Sequence, residues 1–267
     1  MCVLFLSYRY TPGFKLVLAM NRDEHYGRPT LPAGFWPDLG ILAGRDLEKG
    51  GTWLGMTQTG RIAALSNFRD PTRRKTSART RGEITTRFLT NAGTADAYLQ
   101  ALRTEVVEYN DFNLILGRPY DGELVYFSSV TGEFRDLHSG IYGLSNHFLD
   151  SHWPKVTRGK AAFARALAEN GRSKVSQAAA GDPLVGSLLE LLRDDVRPAD
   201  SALPKTGLTL QEERMVSPIY ICSPSYGTVS STVILMGEDL RVRFVEVTYG
   251  PDGEDGVKRY DFTLSNI

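Results

Sequence analysis

Ten short runs rich in β-branched and aromatic residues lie toward the two ends of this chain, and helical periodicity is confined to its middle. The runs are CVLFLSY, FKLVLAM, ILAGR, TWLGMT, RIAALS, FNLILG, ELVYFSS, GIYGLS, TVILM and RVRFVEV, each bounded by Gly, Pro, Asn or polar residues. Between them, RGEITTRFL, TADAYLQALR, WPKVTRGKAAFARALAEN and DPLVGSLLELLRDD carry helix-forming residues at helical spacing. Strands thus dominate both ends of the chain, and helices lie between them. Residues 193–218 have little periodicity and three prolines, and are read as a long surface loop. A boundary there would leave the last strands without a core of their own, so residues 1–267 are expected to form a single domain.

The composition narrows the partners. With 42% hydrophobic and 23% charged residues, and 31 basic against 31 acidic, the chain carries no overall bias toward nucleic acid or anionic membrane. Cys2 and Cys222 are its two cysteines. That excludes a disulfide framework and suits a reducing compartment, so a cytoplasmic location is expected. The apolar run 3–6 is too short for a signal peptide, and no stretch approaches the ~20 apolar residues of a spanning helix, so no stable membrane insertion is expected. Histidines 25, 138, 147 and 152 show no metal-binding spacing with each other or with the cysteines, and no metal site is expected.

The opening segment, MCVLFLSYRYTPGFKLVLAMNRDEH, is where chemistry concentrates. Thr11, Pro12 and Gly13 form a hairpin-type turn between two apolar runs, with Gly able to take positive φ. If Tyr10 faces Phe14, paired positions sum to 24 and Cys2 stands opposite Arg22, with Asn21 and Asp23 beside it. Initiator Met is commonly removed ahead of a small residue, which would put an α-amine and a thiol on Cys2. With reference pKa values of about 7.7 to 8.0 and about 8.5, that amine can take the thiol proton near neutral pH. The Arg22 guanidinium would lower the thiol pKa further, and Asp23 could hold the ammonium.

MCVLF, AMNRDE with RP three residues on, GGTWLGM, RGE, FNLI, YGLSN and YGTVSSTVIL occur in that order, and together they resemble the NRDE, or Transport and Golgi organisation, family across essentially the whole chain. The resemblance implies an α+β fold with mostly antiparallel sheets, a four-layer αββα sandwich of the N-terminal nucleophile hydrolase type, with Cys2 in the nucleophile position. It also implies links to haem trafficking, lipid or acyl-coenzyme A metabolism and Golgi organisation. A more distant resemblance, to choloylglycine and penicillin V hydrolases, implies Arg22 and Asp23 beside the nucleophile and an asparagine at the oxyanion. Asn146 in GLSNHF is the stronger candidate for that role and Asn67 in ALSNF the weaker. A side-chain amide donating there contributes roughly 3 to 4 kcal/mol where such donors have been tested. One departure stands out: the family reads YGTRSST or close to it, and Val229 occupies the place of the arginine here.

Cys2, Arg22, Asp23 and Asn146 are thus the candidate catalytic residues. Asn21, Glu24, Asn67, Trp53 and Arg81 are the candidate substrate-binding residues. Trp53 is equally a core or pocket-wall aromatic. Arg81 closes the basic stretch DPTRRKTSARTRGE, which could hold phosphates or haem propionates but reads first as a mobile, solvated surface loop. Two functions are expected. The first is a cysteine N-terminal nucleophile hydrolase, needing no cofactor, that cleaves a non-peptide amide or thioester-type bond of a small molecule. The alternative is a non-catalytic carrier of haem or an acyl ligand. Neither involves nucleic acid, and the basic stretch lacks the interleaved aromatics that single-strand binding uses.

Overall fold

A computed structural model describes residues 2–171 and 182–265. Among these residues it contains thirteen strands and five α-helices. The chain starts with β1 (Cys2–Tyr8) and β2 (Phe14–His25). It continues through β3 (Thr30–Trp36), β4 (Ile41–Asp46), β5 (Leu54–Thr57), β6 (Ile62–Asn67), α1 (Gly82–Thr90), α2 (Ala95–Arg103), β7 (Phe112–Arg118), β8 (Glu123–Ser128) and β9 (Phe134–Asp136). After β10 (Gly140–Leu144) come α3 (Pro154–Asn170), α4 (Pro183–Leu192) and α5 (Leu210–Met215), and then β11 (Tyr226–Gly237), β12 (Arg241–Gly250) and β13 (Gly253–Thr263). Both sheets are antiparallel throughout and both carry helices, so the chain is α+β, as the resemblance implies.

Contacts divide the chain into two compact units, each discontinuous in sequence. The first comprises Met1–Gly27, Ser139–Ser145 and Leu149–Thr263, and the second Arg28–His138, Asn146–Phe148 and Leu264–Ile267.

In the first unit a six-stranded sheet runs in the order β10-β1-β2-β11-β12-β13. Its nucleus is the hairpin read from the sequence: Gly13 takes φ +84°, Phe14 N–H closes the turn on the Thr11 carbonyl at 3.1 Å, and the strands pair from Tyr8↔Leu16 to Cys2↔Arg22. Side chains alternate between the faces of a strand. Val3, Phe5, Val17, Ala19, Val233, Leu235 and Val245 therefore share one face, where they pack with Phe163 of α3 and Leu184, Leu188 and Leu192 of α4. Gly159 lets α3 approach: a Cβ there would stand 2.0 Å from the Phe5 ring. Helix α4 starts on Asp182, whose side chain accepts from Leu184 N–H, followed by Pro183 at the first helical position. Buried Lys155 donates to the carbonyls of Val216 and Pro218 just past α5, at 2.9 and 3.4 Å.

The second unit is a seven-stranded sheet in chain order, β3-β4-β5-β6-β7-β8-β9. Ile84, Phe88 and Leu89 of α1 and Tyr98, Leu99 and Leu102 of α2 pack with Leu65, Leu114, Leu116 and Phe127 of its strands.

Two expectations need correction. Three strands escaped the sequence pattern, β3, β9 and β13, and residues 193–218 are not one irregular loop. That segment holds a short 3₁₀ turn at 200–202 and α5, which opens on a complete capping box between Thr209 and Glu212. The TLQE sequence is the signature of such a box, and it outweighs the lack of longer periodicity. No helix of the described residues is long and apolar enough to cross a membrane.

Candidate active site

The register of β1 on β2 brings the chemistry of the first unit together. Cys2 lies directly opposite Arg22, with positions summing to 24 as the turn required. Both are nearly buried, at 6% and 5% exposure, on the sheet face opposite the one that packs against the helices. The Asp23 backbone N–H donates to the Cys2 sulfur, and the Ser145 hydroxyl donates to the Cys2 carbonyl at 3.2 Å. The first residue of β1 is therefore held from both neighbouring strands.

Burial pushes the Cys2 thiol pKa up, and this is the largest influence on it. The ammonium at the chain terminus lowers it, Asp23 raises it, and Arg22 and the Asp23 N–H lower it. Arg22 thus acts in the expected direction, while desolvation outweighs it in the chain that carries Met1.

Asp23 is fixed by β11. Its Oδ1 accepts from the Thr228 hydroxyl at 2.8 Å and its carbonyl from the Tyr226 hydroxyl at 3.1 Å. Thr228 is itself held by the Ile221 N–H, which donates to its hydroxyl at 3.0 Å. Directly after Thr228 the pairing of β11 with β2 slips: Thr228 faces Asp23 and Ser230 faces Arg22, so Val229 is the extra residue of a β-bulge. The residue that departs from the family pattern therefore occupies an irregularity of backbone beside Arg22 and Asp23. Thr228 and Tyr226 belong to the YGTVSST stretch and were not singled out from the sequence, although a Thr beside a buried Asp in the neighbouring strand is the signal that marks them.

The other candidates fall into different settings. Asn21 is fully buried on the helix-facing side. Its amide donates to the carbonyls of Leu192 at 2.8 Å and Ile219 at 3.0 Å, and its Oδ1 accepts from the Ser231 hydroxyl at 2.6 Å. It ties α4 and the chain before β11 to β2, which corrects its assignment to a bound substrate. Glu24 is half-buried, and its Oε1 accepts from the His25 N–H at 3.0 Å.

Asn67, Asn146, Trp53 and Arg81 lie in the second unit. Asn146 is buried; its Nδ2 donates to the Asn67 carbonyl at 3.0 Å and its Oδ1 accepts from Arg69 at 3.3 Å. The two asparagines are therefore together, with the Asn146 amide engaged on both its nitrogen and its oxygen. Trp53 is buried with its ring against Gly44. Arg81 donates to the Asp111 carbonyl at 3.0 Å.

The basic stretch is pinned rather than mobile, a further correction. Arg73 pairs with Asp111 at 2.6 Å, Lys75 donates to the carbonyls of Val107 and Tyr109 at 2.8 and 2.7 Å, and Arg79 bridges Glu83, Glu105 and Glu108. Arg73 and Arg79 are thus met by local acids, and Lys75 by backbone carbonyls.

Cys2 and Cys222 are both free thiols; Cys222 is exposed, beside the Tyr26 hydroxyl. Burial is the main cause that raises the Tyr26 pKa, with Cys222 adding to it.

The sequence profile of the family described as Transport and Golgi organisation 2 matches residues 1–251. The Transport and Golgi organization protein 2 homolog of Bos taurus is 37% identical over 265 residues, covering 92% of each chain. That of Homo sapiens is 36% identical over the same length and coverage, and the Drosophila melanogaster protein is 28% identical over 278 residues, covering 95% of each chain. Among solved structures, a Caenorhabditis elegans ortholog of N-acylethanolamine-hydrolyzing acid amidase is similar with a TM-score of 0.45 and 12% identity, over 88% of this chain and 92% of that one. The C2A mutant of conjugated bile acid hydrolase from Clostridium perfringens is similar with a TM-score of 0.41 and 13% identity, over 99% of each chain. Both the profile and relatives more than one-third identical span most of the sequence, and the chain belongs to the Transport and Golgi organisation 2 family.

Proposed function

We propose that this protein is a thiol hydrolase in which Cys2, once it is the first residue of the chain, attacks the carbonyl carbon of an amide or thioester-type bond in a small molecule. The observation that carries the reading is the placement of the Cys2 sulfur opposite Arg22 and on the Asp23 N–H. A sulfur buried in this way needs a base that arrives with it, and an α-amine on the same residue supplies one. The amine takes the thiol proton, and the thiolate forms a C–S bond to the carbonyl carbon. The C–N or C–S bond to the leaving group then breaks, and the ammonium returns its proton to that group. Water, deprotonated by the same amine, cleaves the acyl-cysteine and restores the thiol. Arg22 supplies positive charge beside the sulfur while it is anionic, and Asp23, anchored by Thr228, orients the ammonium. No cofactor takes part, and the free thiols suit a reducing compartment such as the cytoplasm.

The test is acyl trapping with an activated acyl thioester, followed by peptide mapping. An adduct on Cys2 that hydroxylamine removes, and that is lost in Cys2→Ala, is the expected result. Acylation confined to exposed Cys222, or to neither cysteine, contradicts it.

One observation favours a second reading, that of a carrier for haem or an acyl ligand. Burial raises the Cys2 thiol pKa in the chain that carries Met1, which works against the thiolate that a hydrolase needs. Haem titration separates the two: saturable binding seen in the Soret band and unaffected by Cys2→Ala supports a carrier.

A further inference from the structure

The stretch TVSST of β11 carries four hydroxyls, and three of them are bonded within the protein. The Thr228 hydroxyl donates to Asp23 Oδ1 at 2.8 Å, that of Ser231 to Asn21 Oδ1 at 2.6 Å, and that of Thr232 to Glu246 Oε2 at 3.3 Å. Ser230 is the exception: it is 3% exposed, and its hydroxyl has no hydrogen-bond partner among the described residues. Buried polar groups are nearly always paired, because an unpaired one forfeits the hydration it had in the unfolded chain. No step of the proposed chemistry uses this hydroxyl.

A backbone irregularity puts it beside the candidate site. Cys2 stands opposite Arg22, and Arg22 opposite Ser230, in one row across β1, β2 and β11. Directly paired residues share a face of the sheet, whereas their neighbours Asn21 and Ser231 bond to each other on the other face, toward the helices. In a regular strand Val229 would follow Thr228 onto the position facing Arg22, and Ser230 would point to the helices. The bulge at Val229 shifts the register by one and turns Ser230 onto the face of Cys2 instead. Cys2 and Arg22 are 6% and 5% exposed, so a molecule that reaches the sulfur enters over this same row.

We infer that Ser230 is a substrate-binding residue: its hydroxyl meets a second polar group of the molecule whose carbonyl Cys2 attacks. The inference rests on the cysteine-nucleophile reading and narrows its substrate class. Two strand spacings, about 10 Å, separate Ser230 from Cys2, so the second polar group lies several bonds from the scissile carbonyl, on the acyl or the leaving-group side. A hydroxyl both donates and accepts, so an amide, a carbonyl or another hydroxyl suits it, and a plain hydrocarbon chain does not. Substrate binding then supplies the bond that folding leaves unmade.

Acylation rates of Cys2, scored apart from Cys222 by peptide mapping, test it with three thioesters. The N-acetylcysteamine thioester of butyric acid carries an amide on the leaving-group side, the S-ethyl thioester of N-acetyl-β-alanine carries one on the acyl side, and S-ethyl thiobutyrate carries none. The preference of the full-length protein for one of the amide-bearing probes over S-ethyl thiobutyrate should fall several-fold in Ser230→Ala, and the probe affected tells which side of the substrate Ser230 meets. Urea denaturation gives a second readout: the Ser230→Ala midpoint should equal or exceed that of wild type, since no bond within the protein is lost. Preferences equal in the two proteins for both probes overturn the inference. So does a lowered midpoint or a variant that does not fold, either of which would mark the hydroxyl as a structural partner. Failure of the hydrolase reading appears separately, as the absence of any acyl adduct on Cys2 of the unsubstituted protein, and the inference falls with it.

Discussion

Arg22→Ala is expected to slow iodoacetamide alkylation of Cys2 roughly tenfold at neutral pH, because an opposite charge beside a buried thiolate stabilises it by at least that order. Arg22 pairs directly with Cys2 and already lowers a thiol that burial raises, so removing it leaves desolvation less opposed. Arg22→Lys should recover part of the rate, since the charge stays while the planar fork is lost. Asp23→Asn should change the rate in the other direction. It removes a charge that raises the thiol, while the amide oxygen can still accept from Thr228. Acyl turnover should nonetheless fall in Asp23→Asn, because the ammonium loses its counter-charge. If alkylation is equally fast in wild type and Arg22→Ala, Arg22 has no part in the site.

The second large effect is on stability. Asn21→Ala should cost about 3 to 5 kcal/mol, since it leaves the buried carbonyls of Leu192 and Ile219 and the Ser231 hydroxyl without their amide partner, at roughly 1 to 3 kcal/mol each. Urea denaturation measures it directly. A loss below about 1 kcal/mol would mean that water or neighbouring groups replace the amide, and would return Asn21 to the residues available for a ligand.

The strands that were legible in the sequence and those that were not differ in position. The ten runs recognised by their branched and aromatic residues form the inner parts of both sheets and the β10 edge. The three that escaped, β3, β9 and β13, are all edge strands. Edge strands carry the features that blunt unwanted pairing, and those features erase the hydrophobic signal. In β3, Pro32 falls within a register shift between Leu31 and Gly34. In β13 the sequence GEDGVKRYDFT is charged and largely exposed. β9 spans three residues and leaves no room for a pattern.

The same distinction applies to the site. Cys2 opposite Arg22 was readable because a tight turn sets register arithmetically over a short separation. Thr228 was not, because it reaches Asp23 only through the pairing of β11 with β2, about two hundred residues away in the chain. Asn21 shows the limit of reading a motif as a unit. Within NRDE, alternate residues face opposite sides of the sheet, so Arg22 stands opposite the cysteine while Asn21 bonds to the end of α4 and the chain before β11.

A Cys2 nucleophile whose own α-amine is its base must stand first in the functional chain. Intact-mass and N-terminal peptide analysis of the protein purified from cells that express it natively tests this most directly. The expected result is a chain that begins at Cys2, with a free amine and a free thiol on that residue. A chain that retains Met1, or one whose Cys2 amine is blocked by acetylation, has no base at the sulfur and contradicts the mechanism.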